Sequence, residues 1–469
     1  MTPHHPTAIP DGAVPPPGCP AHVERSGLQR LAEITDPSGT YEDLRRRYGA
    51  VAPVLLHGDI PAWLVLGYRE NLDVMRTPRL YARDSRHWIA FQEGRVAADS
   101  PLVPMVGWQP MCAFVDGAEH ARLRSAVVDS LDAISRHGMR RYVKYFTHQL
   151  VARFAESGRA DLVGDFVERL PMLVASRIIG MSPDKGPLLV EPTLDLIRGS
   201  ETAPASNRLV TRVLEDLVAH KASSPGEMDL ATRLLAHDSA LDRTEVVEHL
   251  RLILVAAHQN TVNLLTQTLR LILTDEGFRG RLSGGTLTLP EALDQVMWDN
   301  PSLNVLPGRW ALADHTLAGQ QIKKGDMLLM GIAAAHVDPE QRPDLTVSMS
   351  GNRAHLALGS GPHACPGGDI GRAIADTGIE VLFELLPDIH LAVPNSEIRI
   401  TTDWMTSRPS ALPVAFTPRR SADISPQQPP RQAAGPLPPS KESVEPPTTP
   451  SPRPSKRWRR LLSRARTTV

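Results

Sequence analysis

Apolar positions recur along this chain with two periods, and the switches between them mark its organisation. From Val51 the short apolar runs VAPVLLHG and PAWLVLGY, separated by His57-Gly58-Asp59, predict a strand hairpin. Helical periodicity then dominates from about Glu119 to Thr274, punctuated at Ser182-Pro183 and Ser224-Pro225-Gly226. Its strongest stretch, 243–274, runs 32 residues without Pro or Gly. A helix of that length spans roughly 48 Å. Being apolar on most sides, it should cross the core of a large helical domain. After Pro301 the pattern shortens to the strands RWALA, HTLAG and MLLMGIAAA. A Gly- and His-bearing loop over 353–368 follows, then an amphipathic helix from about Asp369 to Leu386. The predicted fold class is mainly α with a minor β region, in a single large domain over residues 26–417.

Outside that domain the pattern fails. Residues 1–25 read as a loose arm, and 418–455, about a third proline, as a disordered linker that cannot bury a core. Residues 456–469 form a basic amphipathic segment, with Trp458, Leu461, Leu462 and Ala465 near one helical face and Arg457, Arg460 and Arg464 around the other. Charge follows the same division. From Pro418 onward there are 11 Lys and Arg against 3 Asp and Glu, whereas the rest carries 40 against 49. A basic amphipathic end suits an anionic membrane surface or an acidic protein partner. Aromatic content of 4% argues against a nucleic-acid platform. Three cysteines, Cys19, Cys112 and Cys365, are too few for a disulfide framework and suggest a reducing compartment. With no apolar h-region near the N-terminus and no run of about 18 apolar residues, the expectation is a cytoplasmic protein.

The chemistry concentrates in one loop. LALGSGPHACPGGDIGRA places Gly359, Gly361, His363, Cys365 and Gly367 on alternate positions. Glycine at that density lets the backbone turn tightly and approach a flat ligand. A lone cysteine just before a helix has its thiolate favoured by the helix dipole and backbone N–H groups. A soft anionic sulfur there suits iron, and an electron-rich thiolate favours O–O cleavage. The alternative for an isolated cysteine is a small buried core thiol.

This loop resembles the haem-binding signature of the cytochrome P-450 family, Phe-Gly-x-Gly-x-His-x-Cys-x-Gly, with Leu358 replacing the aromatic that shields the sulfur. The resemblance covers about residues 25–417. It implies haem b held by Cys365, with Leu358 still excluding water. GAEHARLR resembles the family helix that clamps a haem propionate, here through His120 and Arg124. Arg309 and His355 match two further propionate contacts, and HVDPEQ resembles the family's Asn-Arg-Asp-Pro segment.

Two departures stand out. In the long helix the family usually places Ala-Gly-x-Glu/Asp-Thr-Thr, whose glycine leaves room for dioxygen and whose acid–alcohol pair relays protons. This chain has Ala256, Ala257, His258, Gln259, Asn260 and Thr261. Ala257 adds a methyl, and the amides of Gln259 and Asn260 are poor general acids. His258 either supplies a proton or faces a neighbouring helix. The family's Glu-x-x-Arg pair is also missing, with Gln295 and Trp298 in its place, Asp294 one residue earlier, and no meander arginine near Met349.

The resemblance implies a monooxygenase acting on a small apolar substrate, with electrons from a ferredoxin and ferredoxin reductase. The departures are similar to an actinobacterial subgroup lacking the Glu-x-x-Arg pair, whose members are often encoded beside a small GTPase and sensor-kinase-like proteins. They imply an alternative: a haem-bearing regulatory or ligand-sensing protein with weak or no turnover.

Overall fold

The computed structural model describes residues 27–424, apart from 98, 183, 199–200, 225 and 227. The expected arm at 1–25, most of the linker, the basic terminal segment and Cys19 lie outside the described residues.

The helical body is organised around Arg243–Thr274, a continuous 32-residue α-helix. A capping box starts it. The Asp242 carboxylate accepts from Glu245 N–H at 2.8 Å, and the Glu245 carboxylate accepts from Asp242 N–H at 3.0 Å. Leu250, Leu254, Val262, Leu265 and Leu269 are buried along it. It packs against Leu170–Ile178, Ala203–Ser223, Leu289–Asp299 and Gly368–Leu385. Gly368–Leu385, the expected last helix, lies in turn on Arg136–Phe154.

Beside the helices lies a six-stranded sheet in the order Gln29–Arg30, Val51–Leu56, Ile60–Val65, Met327–Gly331, Val305–Ala311, Tyr81–Ala82. The hairpin forms as the apolar runs predict, Val51 opposite Val65 and Leu56 opposite Ile60, turning at Gly58 (φ 74°) and Asp59 (φ 54°). Both of its strands are buried on both faces, which is why they read as continuous rather than alternating apolar runs. Val305–Ala311 pairs antiparallel with Met327–Gly331 through an irregularity between Leu306 and Arg309, where Gly308 adopts φ 89°. An irregularity of this kind re-aims the side chain that follows it, here Arg309.

Two boundaries differ from expectation. MLLMGIAAA is strand only to Gly331; Ile332–His336 is a helical turn. A side chain on Gly331 would meet the Val65 carbonyl at 2.6 Å, so the close strand contact ends there. The ordered body also runs past 417. Ser421–Ile424 is a helical turn seated on Arg136–Phe154, with His148 Nδ1 donating to the Ile424 carbonyl at 2.8 Å and Ser421 Oγ to that of Ala152 at 2.8 Å. Among the described residues no helix is long and apolar enough to cross a membrane.

Candidate functional site

The cysteine loop is shaped by backbone positions that only glycine takes without strain. Gly359 and Gly361 have φ of 68° and 71°, and a side chain on Gly361 would run into the Met75 carbonyl. Cys365 N–H donates to the Leu358 carbonyl at 2.7 Å, closing the loop. Gly367 is the residue just before the helix Gly368–Leu385. Burial pushes the Cys365 thiol up, while the backbone N–H groups of Gly367 and Gly368 and the Arg124 guanidinium pull it down. The helix-end donors expected for a thiolate are therefore in place, although burial outweighs them. Cys365 nevertheless remains accessible. Leu358 packs on the backbone of Gly368. It borders, with Cys365, a cavity of about 340 Å³ that Met139, Ile134 and Arg136 also line.

Beside the loop stands a cluster of cations. Arg124 donates to the Ala364 carbonyl, next to the cysteine. His363 Nε2 lies 3.3 Å from Asp116, and its ring sits 4.1 Å from that of His120. Arg309 is buried, as is the nitrogen Nε2 of His120; Arg309 Nη1 and His120 Nε2 have no hydrogen-bond partner within the protein. Burial and the neighbouring Arg83 drive the Arg309 guanidinium well below its usual range. Burial first, then Arg309 and His120, hold His363 down to about 4 against the opposing pull of Asp116. Burial, Arg124 and Arg309 likewise lower His120.

Arg83 and Asp116 escaped the sequence reading. Arg83 donates to the carbonyls of Ala113 at 3.1 Å and of Pro307 and Gly308 at 2.6 Å. Asp116 precedes the helix Gly117–Asp132, yet its carboxylate caps no helix N–H. It accepts instead from Arg83 N–H at 2.7 Å and Asp84 N–H at 3.0 Å. Burial would raise this carboxyl, but the His363 bond and those backbone donors bring it below its ordinary value. One carboxylate thus faces the guanidiniums of Arg83 and Arg309 and two imidazoles, His120 and His363, that are held toward the neutral form. A buried surplus of positive charge with orphaned donors calls for an anion. The donor set fits a flat ligand bearing carboxylates beside Cys365.

The long helix supplies the opposite wall. Thr261 is buried at its crossing with Gly368–Leu385, where a side chain on Gly371 would lie 3.2 Å from Thr261 Oγ1. That crossing is one turn from Ala257 on one helix and one turn from Gly367 on the other, which brings the two motifs together. Ala256 is exposed and Ala257 and Asn260 are half-buried in the middle of the helix, as are Leu252 and Ile253 before them, so one face stays open. Asn260 donates from its amide to the Ala256 carbonyl at 3.1 Å and accepts at its own carbonyl from Ser302 Oγ at 2.8 Å.

Four expected site residues are placed elsewhere, Gln259 among them, lining a cavity on the flank of the long helix with Glu168. His258 is buried with Nε2 on the Glu168 carbonyl at 2.9 Å, so it faces the neighbouring helical segment rather than the open face. Thr261 is turned to the helix crossing. His355 stands apart from the cation cluster, 3.8 Å from Asp294 and edge-on to Trp298. It joins the network that replaces the Glu-x-x-Arg pair. There Gln295 Oε1 accepts from Ser348 Oγ at 2.8 Å and Met349 N–H at 2.6 Å, and Trp298 Nε1 donates to the Asn352 carbonyl at 2.8 Å. Asp294 pairs with Arg372, and Asp299 with Arg342 at 2.8 Å. Neutral bonds from Gln295 and Trp298 thus hold residues 348–352 where the family carries its ion pair, while the Asp299–Arg342 pair ties down the segment before them, with Arg342 donating to the Leu345 carbonyl at 3.1 Å.

No family model matches the chain. Among curated proteins it is 27% identical over 416 residues to 2-hydroxy-5-methyl-1-naphthoate 7-hydroxylase of Streptomyces carzinostaticus, covering 86% of this chain and 99% of that protein. It is 26% identical over 372 residues to vitamin D(3) 25-hydroxylase of Pseudonocardia autotrophica, covering 77% of this chain and 89% of that one. Among solved structures, CYP154A1 from Streptomyces coelicolor A3(2) superposes with a TM-score of 0.72 at 26% identity, over 83% of this chain and 100% of that one. Hydroxylases among the relatives do not favour the regulatory alternative.

Proposed function

Because the chain belongs to the cytochrome P-450 superfamily and is a haem-b monooxygenase, we propose that it hydroxylates a small apolar organic substrate with electrons from a ferredoxin and its reductase. When bound, haem b supplies the activation of dioxygen. Cys365 would ligate the iron, and His120, Arg124, Arg309 and His363 would hold the propionates. Ala256 and Ala257 would leave a shallow apolar wall for the substrate, and Asn260 would keep that wall in register through its bonds to Ala256 and Ser302.

The observation that carries the reading is the buried cation surplus around one carboxylate, directly beside an accessible cysteine. Three cysteines leave two besides the proposed ligand, too few to hold an iron–sulfur cluster of the chain's own. That supports an external electron donor. Neither a small-GTPase association nor an anionic contact of the terminal segment finds support in the relatives, and neither is part of the proposal.

The test is a reconstitution with a bacterial ferredoxin, its reductase, NADPH and a panel of small apolar compounds under ¹⁸O₂. The proposal expects a product carrying one ¹⁸O atom, formed in proportion to NADPH consumed. NADPH consumption that yields only hydrogen peroxide across the panel contradicts it.

A further inference from the structure

We propose that the protons of the reaction enter through a polar cavity on the flank of the long helix, with the Glu168 carboxylate as the residue that positions them. This rests on the monooxygenase reading. Inserting one oxygen atom into a C–H bond consumes dioxygen, two electrons and two protons and releases water, so each turnover must import two protons.

The open face of the long helix offers no group to carry them. Ala256 and Ala257 have none, and Asn260 does not ionise; its amide and its backbone carbonyl are engaged with Ala256 and Ser302. Gln259, their neighbour, instead lines a cavity of about 370 Å³ together with Glu168, His258, Asn263, Asp403 and Arg408. A water occupies roughly 30 Å³, so the cavity has room for several. Its walls call for them. Asn263 Oδ1 and Arg408 Nη1 are buried and have no hydrogen-bond partner within the protein. Exposed Thr401 and Asp403 stand at the mouth.

Among the wall groups, chemistry singles out Glu168. Asp403 spends its carboxylate on the turn between the paired strands Ile400–Thr402 and Ser407–Pro409, accepting from Met405 N–H at 2.7 Å, Thr406 N–H at 2.8 Å and Thr406 Oγ1 at 2.8 Å. The Nε2 atom of His258 is committed to the Glu168 carbonyl at 2.9 Å. The Glu168 carboxylate is buried, faces the same cavity and is oriented by Arg408 Nη2 at 3.1 Å. Charged and titratable groups facing it include Arg408 from the strand Ser407–Pro409, His258 from the long helix and Asp403 across the cavity. A proton entering from solvent would pass from Glu168 through cavity water to Gln259. That amide relays hydrogen bonds without ionising, so the carboxylate the helix lacks is supplied from the segment packed against it.

The test uses the haem-loaded full chain, wild type and Glu168→Gln, Glu168→Asp, Glu168→Ala and Thr401→Trp. The protein is reconstituted with a bacterial ferredoxin, its reductase and NADPH in air-saturated buffer made in H₂O and in D₂O, and NADPH oxidation, in which each dioxygen takes up two electrons and two protons, is followed by absorbance. Glu168→Gln should slow NADPH oxidation by ~10-fold and enlarge the solvent isotope effect. Glu168→Asp should stay near wild type. Thr401→Trp, an exposed position at the mouth, should slow the reaction in the same direction without touching Glu168. Sodium acetate should restore the rate in Glu168→Ala and raise the Tm of that variant but not of wild type, a readout independent of turnover. Wild-type rates and isotope effect in both Glu168→Gln and Thr401→Trp overturn the inference. Wild type that oxidises no NADPH in the reconstituted system overturns the monooxygenase reading itself.

Discussion

Installing the ion pair that this chain lacks should weaken the protein. Trp298 is fully buried, its ring 6.1 Å from that of Tyr68 and 4.7 Å from that of His336, and it donates to the Asn352 carbonyl. A buried tryptophan removes ~200 Å² from water, which at ~25 cal/mol per Å² amounts to ~5 kcal/mol. Trp298→Arg forfeits much of that and buries a guanidinium among groups arranged for an indole. Gln295→Glu replaces an amide that donates to Asp299 by a carboxylate beside it, turning a hydrogen bond into a like-charge contact worth ~2 kcal/mol of destabilisation. In a scaffold built for Glu-x-x-Arg the double variant would recover most of both losses. Here the partners are the Met349 N–H, the Ser348 hydroxyl and the Asn352 carbonyl, so the gain from combining them should be below ~1 kcal/mol. The Gln295→Glu/Trp298→Arg protein should remain ~4 kcal/mol less stable than wild type. Urea unfolding followed by far-ultraviolet circular dichroism, at one fixed haem concentration, measures this. A double variant within ~1 kcal/mol of wild type would refute the reasoning, because it would show that the site still accommodates the pair.

Two further outcomes concern pH. Burial raises Asp376, at the contact of Gly368–Leu385 with Arg136–Phe154, from 3.8 to about 6 despite its pair with Arg140. The folded state therefore holds its proton more tightly than the unfolded chain, and this contribution to stability is lost as pH rises from about 4 to about 6. Asp376→Asn should be up to ~2 kcal/mol more stable than wild type at pH 7.5 and indistinguishable from it at pH 4 by urea midpoint; equal effects at both pH values would exclude the cause. His336 shows the opposite sign. Burial, and secondarily His355, holds it at about 3, with Nδ1 donating to the Trp298 carbonyl at 3.0 Å and Nε2 accepting from Leu356 N–H at 2.8 Å. Its stabilising contribution is present above about 6.5 and is lost as pH falls toward 3. His336→Leu should cost ~2–4 kcal/mol at pH 7.5 and flatten the acid limb of the stability profile; an unchanged acid limb would count against a neutral His336.

The features legible in the sequence are those written in local pattern. The hairpin at Val51–Val65, the long helix and the cysteine loop each carry their signal within a few residues of themselves: paired apolar runs, an uninterrupted helical period, glycines at fixed offsets. Features that depend on where a side chain points were harder. His258 sits next to the open face in sequence, but 100° further around the helix its ring meets Glu168. His355 is close to the cysteine loop along the chain, yet it points toward Asp294 and Trp298 on another helix. Arg83 and Asp116 left no trace, since their role comes from strands and loops more than 30 residues apart meeting at the cation cluster. The exchange of Gln295 and Trp298 was visible, but not the neutral bonding to residues 348–352 that makes it tolerable.

The central claim is that Cys365 holds haem iron as a thiolate. Reducing the full-length protein with dithionite, adding carbon monoxide and recording the absorption spectrum tests it most directly. The account predicts the red-shifted Soret band of a thiolate–iron–carbonyl adduct in wild type and its loss in Cys365→Ala. Protein that binds no haem, or a Cys365→Ala variant that keeps the same red-shifted band, would contradict it.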